Sequence, residues 1–230
     1  MNFKTYLVGG AVRDELLGIP CKDLDYVVLA PSFDALRQAL LDSGCKIFVE
    51  KPEFLTFRAK HPTLGTTDFA CARKEGEYTD GRHPDAVEVA TTIEEDLARR
   101  DFACNSIAKD VITGELVDPY GGIKDTKDKM LRCVGNPLIR FSEDRLRVFR
   151  AVRFAVQKRF IIEHNTSMAM HEFAYPDFAP VSTERIRDEL HKMFVKDAAF
   201  SFHLLQKVYP NLWTVVEQRG IWFKPTTEAK

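Results

Sequence analysis

Short apolar stretches broken by charged and glycine-containing turns fill the first 135 or so positions, and from about Pro137 the apolar residues recur at helical spacing instead. The alternating stretches predict strands at Tyr6–Val8, Leu24–Leu29, Lys46–Val49, Leu55–Ala59, Thr66–Arg73 and Ala86–Val89. Between them, Ala11–Leu17 reads as a helix stopped by Gly18 and Pro20, and Phe33–Leu41 as an amphipathic helix with Ser32 as N-cap. Lys74–Asp85 is charged, carries Gly76, Gly81 and Pro84, and reads as a mobile loop without core residues. Beyond Pro137, helices are predicted at Glu143–Lys158, Thr166–Phe173, Thr183–Phe194 and Ala198–Val208, with no strand. The expected fold is therefore α+β: a mixed sheet with flanking helices over residues 1–138, then an all-helical domain over residues 139–230.

Composition adds limits rather than direction. The 230 residues are 45% hydrophobic and 29% charged, an ordinary globular balance able to bury a core. A formal net charge of −1 gives no global field for nucleic acid, so any RNA contact has to use a local patch. The five cysteines are scattered, odd in number and without a C-x-x-C pair, which points to reduced thiols and away from structural zinc. With no signal peptide or membrane span visible, the expected compartment is cytoplasmic. Nothing in the chain fixes an oligomeric state.

The candidate chemistry begins where Tyr6-Leu7-Val8 runs into Gly9-Gly10, with Arg13 one helical turn further on. Gly9 and Gly10 would bring backbone N–H groups close to a phosphate, and Arg13 could meet the same phosphate from the helix. Asp23 and Asp25 flank Leu24 at the head of an apolar run; in a strand that spacing points both carboxylates to one face. Two such acids on a half-buried face need a cation, the arrangement of two-metal phosphoryl or nucleotidyl transfer. The plainer alternative is a pair of solvated acids at a strand start. Asp68, on one face with Ala70 and Ala72, is either a third carboxylate or an ordinary edge acid. In Asp96–Ala108 a charge cluster runs into an apolar helix, which on the plainer alternative Asp101 caps while Asn105 faces polar surroundings. Either Arg99 and Arg100 are solvated, or Arg100 contacts phosphate or ribose and Asp101 orients it.

On a helix over Glu143–Phe154, Asp144, Arg147, Arg150 and Arg153 form a band drifting round one side, with Val148, Phe149 and Val152 on another. Three guanidiniums in successive turns are costly unless anions lie opposite, and only Glu143 and Asp144 stand nearby in sequence. An acid with an arginine one turn later also offers acceptor and donor for the edge of a base. The six histidines show no metal spacing, and the chain lacks a P-loop, a G-x-G-x-x-G turn and a G-x-S-x-G elbow.

Together these segments resemble the class II tRNA nucleotidyltransferase and bacterial poly(A) polymerase family, among the polymerase-beta-like nucleotidyltransferases. Leu7–Asp14 with Asp23-Leu24-Asp25 is similar to its first motif, and Arg99-Arg100-Asp101-Phe102 with Asn105 to its second. Asp118-Pro119-Tyr120-Gly121-Gly122 is similar to the third, Glu143–Arg147 with Arg150 and Arg153 to the fourth, and Glu184-Arg185-Ile186 with Glu189 to the fifth. The resemblance implies a catalytic head and a helical neck that add CMP and AMP from CTP and ATP to the tRNA 3′ end. It implies Mg²⁺ held by Asp23 and Asp25, triphosphate and sugar bound by Gly9, Gly10, Arg13 and Arg100, and the base read by Asp144 and Arg147. Arg150 and Arg153 would line the pocket, Lys74–Asp85 would be the loop that switches C to A addition, and Asp118–Tyr120 would lie near the hinge.

Two departures stand out. Relatives commonly have Thr-Ile-Asn-Ala where this chain has Ala103-Cys104-Asn105-Ser106, so a hydroxyl is missing at 103. Relatives also continue through helical domains that grip tRNA, whereas these 230 residues are expected to comprise head and neck alone. Rival expectations are an A-adding or poly(A)-polymerase-like enzyme, and a nucleotide- or RNA-binding module with little turnover.

Overall fold

The computed structural model describes residues 3–21, 23–79 and 84–221. Gly81 of the expected loop and residues 222–230 of the expected neck lie outside the described residues. The chain opens with strand β1 (Thr5–Val8), helix α1 (Gly10–Leu16), β2 (Asp25–Val28) and α2 (Phe33–Asp42). Ser32 does cap α2, its hydroxyl accepting from the Ala35 amide at 3.1 Å. Then come β3 (Lys46–Lys51), β4 (Thr56–His61) and β5 (Gly65–Cys71), followed by a hairpin of β6 (Arg73–Glu75) and β7 (Val87–Val89). α3 (Ile93–Ala98), β8 (Ala108–Asp110), β9 (Leu116–Val117), α4 (Gly122–Lys127) and β10 (Met130–Leu131) complete the first half.

Seven strands form one sheet in the order β3-β4-β5-β2-β1-β8-β9. Only the β2–β5 pair in it is parallel. Strand alternation gives this sheet two unlike faces. Tyr26, Val28, Phe57, Ala59, Phe69 and Cys71 point to one, where Leu36 and Leu40 of α2 bury them. Phe33 stacks on Phe57 with ring centroids 4.2 Å apart. Tyr6, Val8, Val27 and Ala108 point to the other, partly roofed by Ile93 and Leu97 of α3. Asp25 begins β2 on this second face, two residues before Val27.

The second half is built from α5 (Pro137–Glu143), α6 (Leu146–Lys158), β11 (Ile161–Ile162), α7 (His164–His171), α8 (Thr183–Lys196), α9 (Ala198–His203) and α10 (Pro210–Gln218). The structure departs from the expectation at several points: the helix expected over Ala198–Val208 ends at His203 and continues as a π turn, α10 is unforeseen, and three further differences bear on the site. The helix expected over Glu143–Lys158 breaks at Asp144, whose backbone is extended (φ −140°, ψ 104°) and whose Oδ1 accepts from the Leu146 amide at 3.1 Å. Asp144 therefore stands at the mouth of α6 rather than on its arginine band. A strand does occur beyond Pro137, because β11 pairs in parallel with β10. The helix expected after Asp101 is a single 3₁₀ turn, Ala103–Asn105. The chain leaves that turn to pair β8 with β1, and the Ser106 hydroxyl bonds back to the Leu97 and Phe102 carbonyls.

The tight packing at that turn follows from Gly122. A Cβ there would lie 2.0 Å from the Ala103 carbonyl oxygen, so only glycine lets α4 approach the turn. One hydrophobic core joins Phe102, Cys104, Leu131 and Cys133 to the buried faces of α6, α8 and α10 through Phe149, Leu190 and Leu212. Phe154 of α6 meets Phe102 edge-on at 5.5 Å. The two halves therefore share a core, and the site lies along their seam.

Candidate active site

The site begins at the turn out of β1. Gly9 has φ +68°, a conformation open to glycine, and a Cβ there would stand 3.1 Å from Nη1 of Arg100. Its N–H donates to the Ile107 carbonyl at 3.3 Å, so the fold itself uses the Gly9 amide expected for a phosphate. Gly10, at the first position of α1, keeps an amide with no partner inside the helix. Arg13 is buried between the two halves: Nε donates to Asp14 at 2.9 Å, Nη1 to Asn105 at 2.6 Å, and the guanidinium lies 5.2 Å from the centre of the Phe154 ring. Asp14 also accepts from Lys158 of α6 at 2.9 Å. Arg13 thus lines the site as a held cation, not a free one.

The carboxylate expected to orient Arg100 was Asp101, and the structure assigns that task to Asp96. Asp96 of α3 is fully buried. Its Oδ2 accepts from Nε (3.2 Å) and Nη2 (2.8 Å) of Arg100, and its Oδ1 from Nη2 of Arg99 (2.7 Å) and the Arg73 amide (3.2 Å). Burial alone would raise its pKa, but the Arg100 and Arg99 charges outweigh burial and hold it at about 2. Asp101 instead grips Arg150 of α6, at 2.9 Å from Nε, and accepts from Asn105 at 3.0 Å. Against the same burial penalty, Arg150 keeps the Asp101 carboxyl well below the usual range.

Every arginine of the α6 band has a carboxylate of the protein opposite it. Arg147 meets Glu143 at 2.6 Å and donates to the Arg99 carbonyl at 3.2 Å. Arg150 meets Asp101, and Arg153 meets the buried Glu189 of α8. Two of these acids lie 49 and 36 residues away in sequence, so the anions that looked missing are supplied by the fold. Asp144 Oδ2 is held by Arg185 at 2.9 Å, which ties α8 to the mouth of α6.

These groups wall a cavity of about 480 Å³ between the halves. From the first half it takes Gly9, Gly10, Arg13, Asp25 and Arg100; from the second, Asp144, Arg147, Arg150 and Arg153. Asp23 does not line it: that residue is exposed and lies outside β2. The expected strand pairing of the two aspartates is therefore not met, although Asp23 still acts on Asp25 through its charge. Seven arginines face only three aspartates in this wall, a balance that suits a polyanion. Arg99, Asn105 and Phe154 also line it and were not singled out for this by the sequence.

Asp68 is the cross-strand neighbour of Asp25. Although Asp25 is exposed by surface area, loss of water around its carboxyl raises its pKa first, the Asp68 charge raises it further, and Arg100 opposes both. Carboxylates that repel one another beside an arginine wall fit a divalent cation by donor type. Among the described residues no three potential ligands already converge on one point.

The expected mobile loop has structured parts. β6 and β7 pair, and the Glu75 side chain is only 5% exposed because Arg73 (2.9 Å) and Arg99 (3.1 Å) hold it. Tyr78 donates to the same carboxylate and lines a smaller cavity of about 340 Å³ with Asp144, Arg147 and Arg185. Asp118 of the third motif accepts from the Gly122 and Ile123 amides at 2.7 and 2.9 Å and so caps α4. All five cysteines are free thiols. No helix among the described residues is long and apolar enough to cross a membrane.

A mixed sheet that presents Asp25 to an arginine-walled cavity defines an α+β protein whose seam suits a polyanion. Residues 5–132 match the poly A polymerase head domain, and residues 159–212 match the probable RNA and SrmB-binding site of polymerase A. The chain belongs to the poly A polymerase head-domain family. It is 38% identical over 194 residues to the CCA-adding enzyme of Enterococcus faecalis, an alignment covering 84% of this chain and 46% of that enzyme. The CCA-adding enzyme of Geobacillus thermodenitrificans is likewise 38% identical over 198 residues, with 84% and 46% covered. Among solved structures, the Bacillus stearothermophilus CCA-adding enzyme in complex with CTP superposes with a TM-score of 0.78 at 32% identity, covering 90% of this chain and 49% of that one. The Thermotoga maritima CCA-adding enzyme complexed with tRNA gives 0.76 at 26% identity, covering 97% and 50%. The chain thus spans about half the length of the relatives it matches.

Proposed function

We propose that this protein adds CMP and AMP from CTP and ATP, without a template, to the 3′ end of tRNA, completing or repairing CCA. The observation that carries the reading is the seam cavity, where Asp25 of the sheet faces the arginines of both halves on a chain similar to an enzyme solved with CTP. Residues 1–138 would act as the catalytic head and 139–230 as the neck. Gly10, Arg13 and Arg100 would hold the triphosphate, Arg100 being aimed by Asp96 and Arg13 by Asp14 and Asn105. Asp144 and Arg147 would read the base, with Arg150 and Arg153 packing its pocket. Because carboxylates already hold these guanidiniums, little side-chain freedom is lost when substrate binds.

Asp23 and Asp25 would hold Mg²⁺, which would polarise the α-phosphate, ease deprotonation of the attacking hydroxyl and neutralise the departing pyrophosphate. The 3′-hydroxyl oxygen of the RNA forms a bond to the α-phosphorus as the bond to the β-bridging oxygen breaks. Pyrophosphate leaves, and the hydroxyl proton passes to water. The absence of a wide-ranging positive charge and the free thiols fit a cytoplasmic enzyme that finds tRNA through a local surface.

The test is incorporation onto a tRNA lacking CCA, with Mg²⁺ and CTP, ATP or both, read at single-nucleotide resolution. Addition stopping at CCA is expected, and an Asp25→Ala protein should bind CTP but incorporate nothing. A run of A residues from ATP alone would replace this reading with a poly(A) one, and an undiminished Asp25→Ala protein would remove the carboxylate from the chemistry.

A further inference from the structure

Asp25 lies on two cavities. Besides the seam cavity, a second one of about 450 Å³ opens over the sheet face that α3 leaves uncovered, and the two share Asp25, Arg99 and Arg100. Its floor is set by strand register. Val8, Asp25, Asp68, Arg58 and Val49 form one row across β1, β2, β5, β4 and β3. Two residues along, Val27, Ala70, Thr56 and Lys51 form the next row on the same face. Small side chains at 56 and 70 leave the groove open in its middle, and the phenylalanines of β4 and β5 are buried on the opposite face. Tyr26, Phe57 and Phe69 border the groove from β2, β4 and β5, but strand alternation turns their rings into the opposite core and away from a bound base.

Arg73, Arg99 and Arg100 on its rim are held by Glu75 and Asp96, but its two outer cations, Lys51 and Arg58, differ in kind from those of the seam. Every arginine of the α6 band is held by a carboxylate, whereas Lys51 is exposed and makes no ion pair among the described residues. Arg58 has only a loose pair with Asp68 at 3.8 Å, both side chains being about half exposed (57% and 49%). Such a pair contributes little to stability and leaves Arg58 available to an incoming anion. Loose cations over a floor whose aromatic rings turn away suit a flexible sugar–phosphate backbone read without regard to sequence.

An in-line displacement needs its nucleophile and leaving group on opposite sides of the phosphorus. Two cavities that meet at Asp25 give separate room to the acceptor and to the triphosphate. We propose that the sheet-face groove carries the backbone of the acceptor RNA strand, with Arg58 and Lys51 as its phosphate contacts. At about 4.8 Å between strands, Arg58 stands roughly 10 Å from Asp25 and Lys51 one strand further. A strand whose 3′ end lies at Asp25 would thus run outward over β5, β4 and β3. This rests on the nucleotidyl transfer proposed above.

The same cations could instead serve the nucleotide triphosphate, and the experiment separates the two. Lys51→Gln, Arg58→Gln and the double variant would be compared with the wild-type chain for KM towards a tRNA acceptor minihelix and towards CTP. Binding of the fluorescently labelled minihelix would be titrated by anisotropy across a salt series. The double variant should weaken RNA binding and raise its KM by about tenfold, one charge-assisted contact net, with the CTP KM unchanged. Its salt slope should fall by about 1.4, two phosphates on a single strand. An RNA KM and salt slope that do not move would overturn the groove while leaving the transferase reading intact. A rise in the CTP KM alone would assign the cations to the triphosphate and overturn it as well. A wild-type protein that binds the minihelix without incorporating would put the transferase reading aside, and the anisotropy comparison would still decide the groove. A wild-type protein that neither binds nor incorporates would overturn both.

Discussion

Asp96 is the group on which the site most depends, and its removal has a calculable effect. Asp96→Asn keeps the volume and an acceptor for the Arg73 amide, but it takes the charge from between two largely buried guanidiniums. Breaking a buried pair by neutralising one partner costs about 3–5 kcal/mol. The Asp96 pKa of about 2, against 3.8 for a free carboxyl, implies a charge-linked share of about 2 kcal/mol at neutral pH. Because the folded pKa is depressed, that share is fully present above about pH 4 and disappears as pH falls through 2. Urea unfolding of wild type and variant at pH 7 should show midpoints at least about 1 M apart, given a slope of about 1–3 kcal/mol per molar. The gap should close between pH 4 and pH 2, where the wild-type carboxyl itself becomes neutral. The variant should also bind CTP more weakly, since Arg100 loses both bonds that aim it. Superimposable urea curves at pH 7, or a gap that persists unchanged into acid, would refute the assignment of Asp96 as the charge holding these arginines.

Two further outcomes follow from the packing. Gly122→Ala should lower the melting temperature by about 6–12 °C, because its Cβ would lie 2.0 Å from a backbone oxygen. Gly121→Ala, at φ +72° with no atom within 4 Å, should lose less, about 1–2 kcal/mol of strain; equal melts for the two would refute the close approach of α4. Arg150→Met should destabilise by about 3–5 kcal/mol by stranding the buried Asp101 carboxylate. Since Arg150 depresses that pKa, the deficit should narrow as pH falls through the carboxylate range, and a deficit that widens in acid would contradict the pairing.

Local signals carried far along this chain. Ser32 before an amphipathic run, glycines after a strand and alternation at Thr66–Arg73 each encode geometry within a few residues, and each element is found in place. The partners of the α6 arginines were not legible, because Asp101 and Glu189 reach them only through tertiary folding. The neighbours of Asp144 on both sides favour a helix, but its capping bond to the Leu146 amide and its tie to Arg185 break the helix there. The Asp96 contacts are local in sequence: it stands three and four residues before Arg99 and Arg100, the spacing at which helical side chains meet. The short strands β10 and β11, two residues each, fall below any alternation that a sequence pattern can register.

That last pair bears on the order in which the molecule comes together. β10 and β11 run parallel, so the chain must travel through α5 and α6 before Ile161 can lie beside Met130. Leu131, fully buried, is covered by residues the ribosome has not yet made when Leu131 is synthesised. Contacts of such separation bear their loop-closure entropy before they return any binding energy. The seven-stranded sheet can assemble early, but the separate β10–β11 pair waits on α6, and with it waits the cavity whose arginines α6 supplies. A nascent chain of this protein would thus carry its carboxylates in place well before it could hold a nucleotide over them.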